Sequence, residues 1–288
     1  MLSYQHIFHA ANHADILKHF TLMCVLENLN KKEKPYTFFD THSASGLYDL
    51  LDNRSQKTNE AQNGVLSLLN NEHESNFYFD FISPFVKNNT YPGSPLIELL
   101  NMREQDTLIL SELHPAEIEN LKKNISNYKT NDTCSVQVHK RDGWEMLNAL
   151  TPPKTKRGAV LIDPSYEEND DYKNASKTIL SVFKKWNNGI FMLWYPLLAH
   201  KEEQINNMLN EICDGVKNIN QNVEIAKLEL LVDKKDSHKE VSLEQYLKSG
   251  EKNPPRLYGS GMLVINTPWQ LEEKVNAFIK SVESVLKR

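Results

Sequence analysis

Asp163, Pro164 and Tyr166 stand together directly after a short apolar run, Ala159 to Ile162. Such a run predicts a buried parallel strand, and the carboxyl end of a parallel strand opens on the crevice where α/β sheets bind ligands. Because proline lacks an N–H, strand pairing ends there and the two neighbouring carbonyl groups can accept hydrogen bonds. A carboxylate, a bare carbonyl group and a flat ring suit a planar base with an exocyclic amine. An ordinary turn after a strand is the alternative interpretation.

Three further acids follow apolar runs that we interpret as strands of the same sheet. They are Asp40 after Tyr36 to Phe39, Glu112 within Thr107 to Leu113, and Asp142 after Ser135 to Val138. Because the carboxyl ends of parallel strands lie at one edge, these acids and Asp163 are expected to line one cleft. In nucleotide-binding α/β folds an acid at the tip of the second strand binds both ribose hydroxyl groups, which is the role predicted for Glu112.

The loop after the first predicted strand lacks the glycine-rich patterns that bind phosphate groups. Asp40 is followed by Thr-His-Ser-Ala-Ser-Gly, which contains neither Gly-Lys-Ser/Thr nor G-x-G-x-x-G. Its small residues still allow a ligand to approach the backbone closely. An acidic cleft without a pyrophosphate site favours a cationic sulfonium cofactor, S-adenosylmethionine, over a dinucleotide.

Alternating strands and helices predict an α/β fold with a mostly parallel sheet covered on both faces. The remaining predicted elements are a helix from Asn12 to Asn30, strands at Gly189 to Tyr195, Val223 to Leu231 and Gly261 to Asn266, and a closing helix from Leu271 to Leu286. More than 60 residues separate the first two strands, whereas a whole βαβ unit takes about 30 residues. We therefore predict an inserted helical subdomain at 50–91 within a main domain of residues 1–49 and 92–288.

Two segments have more local predictions. Ser94 and Pro95 are a good N-cap and a good first residue for a helix through Met102. The helix N-terminus could also bind a carboxylate group. The charged stretch from Asp233 to Gly259 predicts a solvated loop, with a mobile flap over the cleft as the alternative.

The composition is that of a soluble protein, with 288 residues, 40% hydrophobic residues and a net charge of −5. Neither a membrane span nor a signal peptide is evident, so a cytoplasmic protein without membrane contact is expected. Cys24, Cys134 and Cys213 lack disulfide or metal spacing and are expected to be buried thiols. His9 and His13 have no third ligand at a firm spacing, so no metal site is predicted.

Two basic segments are the candidate contacts for a nucleic acid on this acidic protein. Each is more simply interpreted as a solvated surface. The first contains Lys31, Lys32 and Lys34, and the second contains Lys154, Lys156 and Arg157.

Several motifs carry a resemblance to a known family. They are Met-Leu-Ser-Tyr at the start, His9, Asn12-His13-Ala14-Asp15, Lys18-His19, Asp40-Thr41-His42, Tyr91-Pro92-Gly93-Ser94-Pro95-Leu96, Arg103-Glu104-Gln105-Asp106, Glu112-Leu113-His114-Pro115, Asp142-Gly143, Asp163-Pro164-x-Tyr166, Leu193-Trp194-Tyr195-Pro196 and Ser260-Gly261-Met262. From residue 1 to about residue 270 the chain resembles the bacterial 23S ribosomal RNA adenine-N6-methyltransferases of the RlmJ family. Asp-Pro-x-Tyr is common to many amino-methyltransferases, whereas the opening segment and Tyr-Pro-Gly-Ser-Pro-Leu are more particular.

The resemblance implies a class I, Rossmann-like methyltransferase that uses S-adenosylmethionine to methylate one adenine of 23S ribosomal RNA, at position 2030 in the reference numbering. It implies a protein that binds this RNA. A monomer without a metal ion is expected. Asp163 would be catalytic, with Pro164 and Tyr166 beside it, and Tyr4 and Lys18 would contact the RNA. The implied cofactor contacts are His19, His42, Ser94, Glu112, Asp142, Gly143 and Asp163.

The chain departs from the family pattern at two places. Ser43-Ala44-Ser45 replaces a more glycine-rich loop, and Ser165 stands where the motif prefers a second proline. A DNA adenine-N6-methyltransferase and a non-catalytic RNA-binding relative are the alternative functions.

Overall fold

Nine strands are present in the computed structural model, which describes residues 5–71, 76–235 and 257–287. They are β1 (Thr37–Asp40), β2 (Leu47–Asp49), β3 (Thr90–Pro92), β4 (Thr107–Ser111), β5 (Ser135–His139), β6 (Gly158–Ile162), β7 (Ile190–Leu197), β8 (Ile225–Leu231) and β9 (Gly259–Ile265). Seven of them form one sheet in the order β5-β4-β1-β6-β7-β9-β8, and β2 pairs with β3. The first five strands of the large sheet run parallel, and β9 is antiparallel to both of its neighbours.

The tips of the parallel strands are nearly level. Asp40 at the end of β1 lies beside Leu110 of β4 and Leu161 of β6, and Ser111 lies beside His139 of β5. Residues that follow these strands therefore emerge at one edge, which we call the carboxyl edge. β1 and β6 are buried along their whole length because helices cover both faces of the sheet.

Ten helices pack around the sheets in the described ranges. They are α1 (His13–Asn30), α2 (Asn53–Thr58), α3 (Val65–Asn70), α4 (Phe77–Lys87), α5 (Ser94–Asn101), α6 (Pro115–Tyr128), α7 (Gly143–Leu150), α8 (Asp170–Lys185), α9 (Glu202–Ile219) and α10 (Leu271–Leu286). Successive strand residues face opposite sides of a sheet, and accordingly Phe38 and Phe39 of β1 belong to two different hydrophobic clusters. The cluster around Phe38 includes α1, α5 and α10, and the cluster around Phe39 includes α7, α8 and α9.

The first helix is buried almost throughout. α1 begins after Asn12, whose side chain accepts hydrogen bonds from the N–H groups of Ala14 and Asp15. The helix is covered by β9, α5 and α10, so its polar residues are enclosed with its apolar ones. Lys18 and His19 are buried in this way together with Asp15. These three ionisable groups of α1 thus lie inside the protein, where charges interact strongly.

The segment between β2 and β3 contains three helices, α2, α3 and α4. Helices were predicted here, but the short antiparallel pair of β2 with β3, which joins the two ends of the segment, was not. Apolar side chains of α3 and α4, such as Val65 and Phe79, join the same hydrophobic cluster as α1. The division of the chain into two domains stays a prediction.

The sequence-based boundaries differ from the structure by a few residues. The sixth strand of the sheet begins at Ile225 rather than Val223, and the last begins at Gly259 rather than Gly261. Most of the charged excursion predicted at Asp233 to Gly259 lies outside the described residues. Within the described ranges, none of the helices combines the length and apolar character that a membrane crossing requires.

Candidate active site

A cavity of about 300 Å³ opens at the carboxyl edge of the sheet. It brings together nine of the residues predicted to form the site: Lys18, His19, His42, Ser94, Glu112, Asp142, Gly143, Asp163 and Pro164. Asp40 and Tyr166 do not line the cavity, and Tyr4 lies outside the described residues. Residues from six segments far apart in sequence therefore meet in one hollow, because the parallel strands end at a common edge.

Asp163 lies at the tip of β6 and borders the cavity, with 13% of its side chain exposed. The Lys18 ammonium donates a hydrogen bond of 2.7 Å to Asp163 Oδ2. Among the described residues no other side chain hydrogen-bonds this carboxylate. The ion pair fixes Asp163 while leaving it beside open space, which a group that acts on a ligand needs.

Lys18 is itself held between two carboxylates. Its Nζ atom lies 2.8 Å from Asp15 Oδ1 and 2.7 Å from Asp163 Oδ2. Burial opposes the charged form, but Asp15 and Asp163 outweigh it and raise the pKa of Lys18. Asp15 also binds the His6 ring at 3.0 Å and the N–H of Ala11 at 2.9 Å. Burial opposes the charge of Asp15 too, yet the His6 and Lys18 charges keep its pKa well below the usual range.

His19 is a neutral ring on the wall of the cavity. Burial lowers its pKa to about 3, despite the nearby Asp15 carboxylate. His19 Nδ1 shares a 2.8 Å hydrogen bond with the Tyr91 hydroxyl, and that hydroxyl lies 3.1 Å from the hydroxyl of Tyr78. The other ring nitrogen, Nε2, is buried and has no hydrogen-bond partner among the described residues. A buried nitrogen of this kind is costly unless a ligand satisfies it.

Glu112, just beyond β4, anchors the loop that follows β1. Its Oε2 atom accepts the N–H of Ala44 at 2.7 Å, and its Oε1 atom accepts the N–H of His114 at 2.6 Å. Ala44 adopts a left-handed backbone, with φ of 46°, a conformation that L residues with a side chain adopt rarely. Burial raises the pKa of Glu112, although the hydrogen bonds from the backbone oppose the rise.

Asp142 and Gly143 begin α7 at the tip of β5. Asp142 Oδ1 accepts the N–H of Glu145 at 2.9 Å and caps the helix. A Cβ atom at Gly143 would lie 2.1 Å from the carbonyl oxygen of Thr41. The glycine is therefore required for the close approach of α7 to the loop after β1, whatever ligand binds.

His42 and Trp144 form an aromatic corner of the cavity. Their ring centroids are 4.9 Å apart in an edge-to-face arrangement, which is a favoured geometry for aromatic pairs. The Thr41 hydroxyl lies 2.7 Å from His42 Nδ1. Burial lowers the pKa of His42 to about 4, so the ring is neutral at physiological pH.

Asp40 is buried behind the cavity rather than in it, which corrects the expectation that four acids line the cleft. Its two oxygens accept hydrogen bonds from the Ser94 hydroxyl at 2.7 Å and from the N–H of His42 at 3.1 Å. The prediction that Ser94 caps α5 was wrong, because Gly93 is the N-cap and the serine side chain binds Asp40 instead. The carboxylate group that binds at the first residue of α5 is therefore that of Asp40, a residue of the protein itself.

Glu98, one turn further along α5, shares this interior with Asp40. Both of its oxygens are buried, and none of the described residues donates a hydrogen bond to them. Burial, followed by the charge of Asp40, raises the pKa of Glu98 well above its ordinary value. Burial likewise raises the pKa of Asp40 to about 6. Glu98 is therefore expected to stay protonated and neutral beside the Asp40 carboxylate.

The variant Glu98→Gln tests this protonation through the pH dependence of stability. Glu98 keeps its proton in the folded chain and releases it above its ordinary pKa when unfolded, so its contribution to the free energy of unfolding falls as the pH rises from 5 to 8. Glutamine cannot ionise, so the free energy of unfolding of the variant should rise relative to that of the wild type over that range. Each tenfold difference in proton affinity between the folded and unfolded chains is worth about 1.4 kcal/mol. Urea denaturation at the two pH values measures the gain, and a constant difference between the proteins would contradict it.

Tyr166 is placed differently from the sequence-based expectation. Its ring is buried between Tyr172 and Trp194, with centroid distances of 4.7 and 5.9 Å. Its hydroxyl donates a 2.9 Å hydrogen bond to the carbonyl oxygen of Trp194. The left-handed backbone at Tyr166, with φ of 54°, turns the chain after Ser165. A flat tyrosine face beside the ligand is therefore absent from this arrangement, and the stacking role of Tyr166 stays a prediction.

Some of the residues that build the site were not predicted from the sequence. Asp15 was quoted only as part of a motif, although it connects Lys18 with His6. Glu117 lines the cavity from α6 and accepts a hydrogen bond from the Ser45 hydroxyl. A carboxylate three residues before a lysine is a sequence signal for pairing on a helix, but only the fold shows that the pair is buried.

The topology and the site together define a class I methyltransferase, with a mostly parallel seven-stranded sheet, one antiparallel strand inserted near its edge, and an acid-lined cavity across the strand tips. A family model described as Ribosomal RNA large subunit methyltransferase D, RlmJ, matches residues 33–288. The chain belongs to this RlmJ family.

Curated relatives and a solved structure agree with this assignment. Ribosomal RNA large subunit methyltransferase J of Escherichia coli is 34% identical, over 99% of this chain and 94% of that protein. The Haemophilus influenzae protein of the same name is 36% identical with the same coverage. The crystal structure of a Legionella pneumophila protein is 28% identical and superposes with a TM-score of 0.77, covering 96% of this chain and 94% of the other.

Proposed function

We propose that this protein transfers a methyl group from S-adenosylmethionine to the N6 amine of one adenine in 23S ribosomal RNA, at position 2030 in the reference numbering. It would do so as a cytoplasmic monomer without a metal ion. The observation that carries the proposal is the placement of Asp163 and Pro164 on the cavity, with Asp163 fixed by Lys18. Membership of the RlmJ family supports the RNA substrate.

The cavity residues fit the proposed cofactor. The lining combines several carboxylates with neutral histidines and lacks a glycine-rich phosphate loop, so it suits a cationic sulfonium better than a pyrophosphate. Glu112 would hold the ribose hydroxyls of the cofactor. The rest of the cofactor would be contacted by His19, His42, Ser94, Asp142 and Gly143. When bound, the cofactor supplies an electrophilic methyl group.

The task of Asp163 and Pro164 is to orient the adenine amine. The lone pair of that amine is delocalised into the ring, which makes the amine a poor nucleophile. Two acceptors, the Asp163 carboxylate and the Pro164 carbonyl, would hold both N–H bonds and turn the lone pair toward the methyl group. The nearby carboxylate also stabilises the positive charge that develops on nitrogen.

The structure suggests where the amine proton would go. Lys18 occupies Oδ2 of Asp163, so Oδ1 is left to accept the proton directly or through water. Lys18 cannot take that proton, because Asp15 and Asp163 raise its pKa and keep it charged. Its proposed task is to hold the carboxylate, in place of the RNA contact that the resemblance implies, because its ammonium group is buried between Asp15 and Asp163. The proton leaves through the open side of the cavity.

The base must leave its stack to reach Asp163, which costs least for an unpaired adenine in a loop. Tyr166 would stack on that base only after its hydroxyl releases the carbonyl oxygen of Trp194. Ser165 makes such a movement easier than a second proline would, because its φ angle is not fixed. We therefore propose that base binding draws the Tyr166 ring toward the cavity.

Incubation with labelled S-adenosylmethionine and unmodified 23S RNA tests the proposed function. Label is expected in one adenine, mapped by nuclease digestion and mass spectrometry, and replacement of that adenine by guanine should remove it. Duplex DNA serves as the parallel substrate. Label in DNA but not in RNA would overturn the proposal, and so would label in neither.

A further inference from the structure

The two basic segments found in the sequence form one surface. β1 and β6 are neighbours in the sheet, with Thr37 beside Gly158, so the residues that precede them emerge together at the edge opposite the active site. Arg157 joins the segments, because its guanidinium donates hydrogen bonds to the carbonyl oxygens of Lys34 and Leu29. We propose that this amino edge binds RNA outside the target adenine, an inference that rests on the proposed function.

The amino edge is positively charged although the protein is acidic. Five loops enter the parallel strands here, at 31–36, 102–106, 129–134, 151–157 and 186–189. They contain eight lysines and arginines against four carboxylates, whereas the whole chain has a net charge of −5. RNA phosphates are therefore attracted to this edge and repelled by the acids at the opposite one.

The exposed cations at this edge are lysines. Lys31, Lys32, Lys34, Lys154 and Lys156 are all exposed. None of them has an ion-pair partner within 4.0 Å among the described residues, whereas lysines elsewhere pair with acids, as Lys122, Lys235 and Lys274 do. Ammonium groups without protein partners are free to neutralise phosphates.

The two arginines of this edge have a different task. Arg103 and Arg157 lie over the same Tyr36 ring, each with its guanidinium carbon 5.5 Å from the ring centroid. Arg103 also donates hydrogen bonds to the carbonyl oxygens of Lys32 and Lys34. The arginines therefore hold the lysine-bearing loop in one shape, which lowers the entropy cost of binding.

An exposed aromatic residue lies near Lys31. Trp269 follows β9, whose last residue Ile265 pairs with Phe191 at the start of β7, so it lies at the same edge. It is 80% exposed and shares a groove of about 500 Å³ with Lys31. An indole plane next to cations is the usual platform for an unpaired nucleic-acid base.

The partner that fits this surface is a single-stranded or looped RNA segment. Phosphates would contact the lysines while one base stacks on Trp269. Two acids of the groove, Glu27 and Glu273, disfavour phosphate there, although Glu27 is paired with Lys274. A five-residue strand spans about 17 Å, so one structured RNA can reach both edges of the sheet.

The test compares two full-length variants that lose the same charge. The first replaces Lys31, Lys32, Lys154 and Lys156 by alanine. The control replaces Lys122, Lys123, Lys217 and Lys280, which are exposed lysines on α6, α9 and α10. Binding to a 23S RNA fragment that contains the target adenine is measured as a function of salt, together with S-adenosylmethionine binding.

The amino-edge variant is expected to bind RNA about a hundredfold more weakly at 0.1 M salt, with a salt slope smaller by about 3. The control variant and cofactor binding should match the wild type. A wild-type slope in the first variant would overturn the inference, even if the wild-type enzyme methylates the RNA. Equal losses in both variants would also overturn it, as would a wild type that binds anionic vesicles and not RNA.

Trp269 is tested separately by Trp269→Ala and Trp269→Phe. Alanine should weaken RNA binding about tenfold, because stacking on an aromatic residue is worth roughly 1–3 kcal/mol per base. Phenylalanine should restore most of that loss and remove the part of the RNA-induced fluorescence quenching due to Trp269. Unchanged RNA affinity in the alanine variant would exclude the stacking contact.

Discussion

Methyl transfer is expected to fall by roughly 10³-fold or more in Asp163→Ala, while the chain stays folded. The variant loses an acceptor that orients the amine, a charge that stabilises the reacting nitrogen, and the group that receives the proton. Lys18 keeps Asp15 as its partner at 2.8 Å, so its buried charge is not left unpaired. Single-turnover kinetics with saturating S-adenosylmethionine and RNA measure the chemical step, and circular dichroism checks the fold.

Asp163→Asn is the matched variant for this experiment. Asparagine retains one acceptor of the same shape but cannot carry the charge, so its rate should lie between those of the wild type and the alanine variant. Turnover near that of the wild type in Asp163→Ala would remove Asp163 from the reaction. If the Asp163→Asn variant were as slow as Asp163→Ala, the charge of Asp163 rather than its geometry would dominate its contribution to the rate.

The largest loss of stability is expected for Asp15→Ala, about 3 kcal/mol in the free energy of unfolding. Asp15 is completely buried and binds Lys18, His6 and the N–H of Ala11. Alanine would remove the acceptor that these three donors share, and the segment that precedes α1 would lose its contacts with this carboxylate. Because Lys18 would retain only Asp163, methyl transfer should also slow.

The control for this prediction is Glu119→Ala. Glu119 pairs with Lys122 at 2.9 Å on the exposed surface of α6, where such a pair contributes less than about 1 kcal/mol. Urea denaturation of both variants at pH 7 gives the comparison. If Asp15→Ala were no more destabilising than Glu119→Ala, the buried network would have no structural role.

The strands and their acids could be predicted because their signals are local. An apolar run that stops at an acid and a proline, as before Asp163 and Pro164, is readable from neighbouring residues alone. Parallel strands then place their ends together, so Glu112, Asp142 and Asp163 were correctly expected at one cavity.

The rest depended on contacts that sequence spacing does not encode. Lys18 and Asp163 are 145 residues apart in the chain, yet form the central ion pair. Asp40 does not line the cavity, because its carboxylate binds Ser94 and lies near Glu98 inside the protein. The spacing of residues in the sequence does not predict these contacts. Tyr166 took a left-handed backbone that residues other than glycine seldom adopt.

Phe20 of α1 and Phe278 of α10 stack with nearly parallel rings, 3.7 Å between centroids. The helix that carries Lys18 and His19 thus packs against the last helix of the described chain, although the two stacked residues are more than 250 positions apart in the sequence. Closing so long a loop is slow and entropically costly. A chain shortened before α10 would therefore leave Phe20 uncovered, and the helix that holds Lys18 against Asp163 would lose one of its packing surfaces.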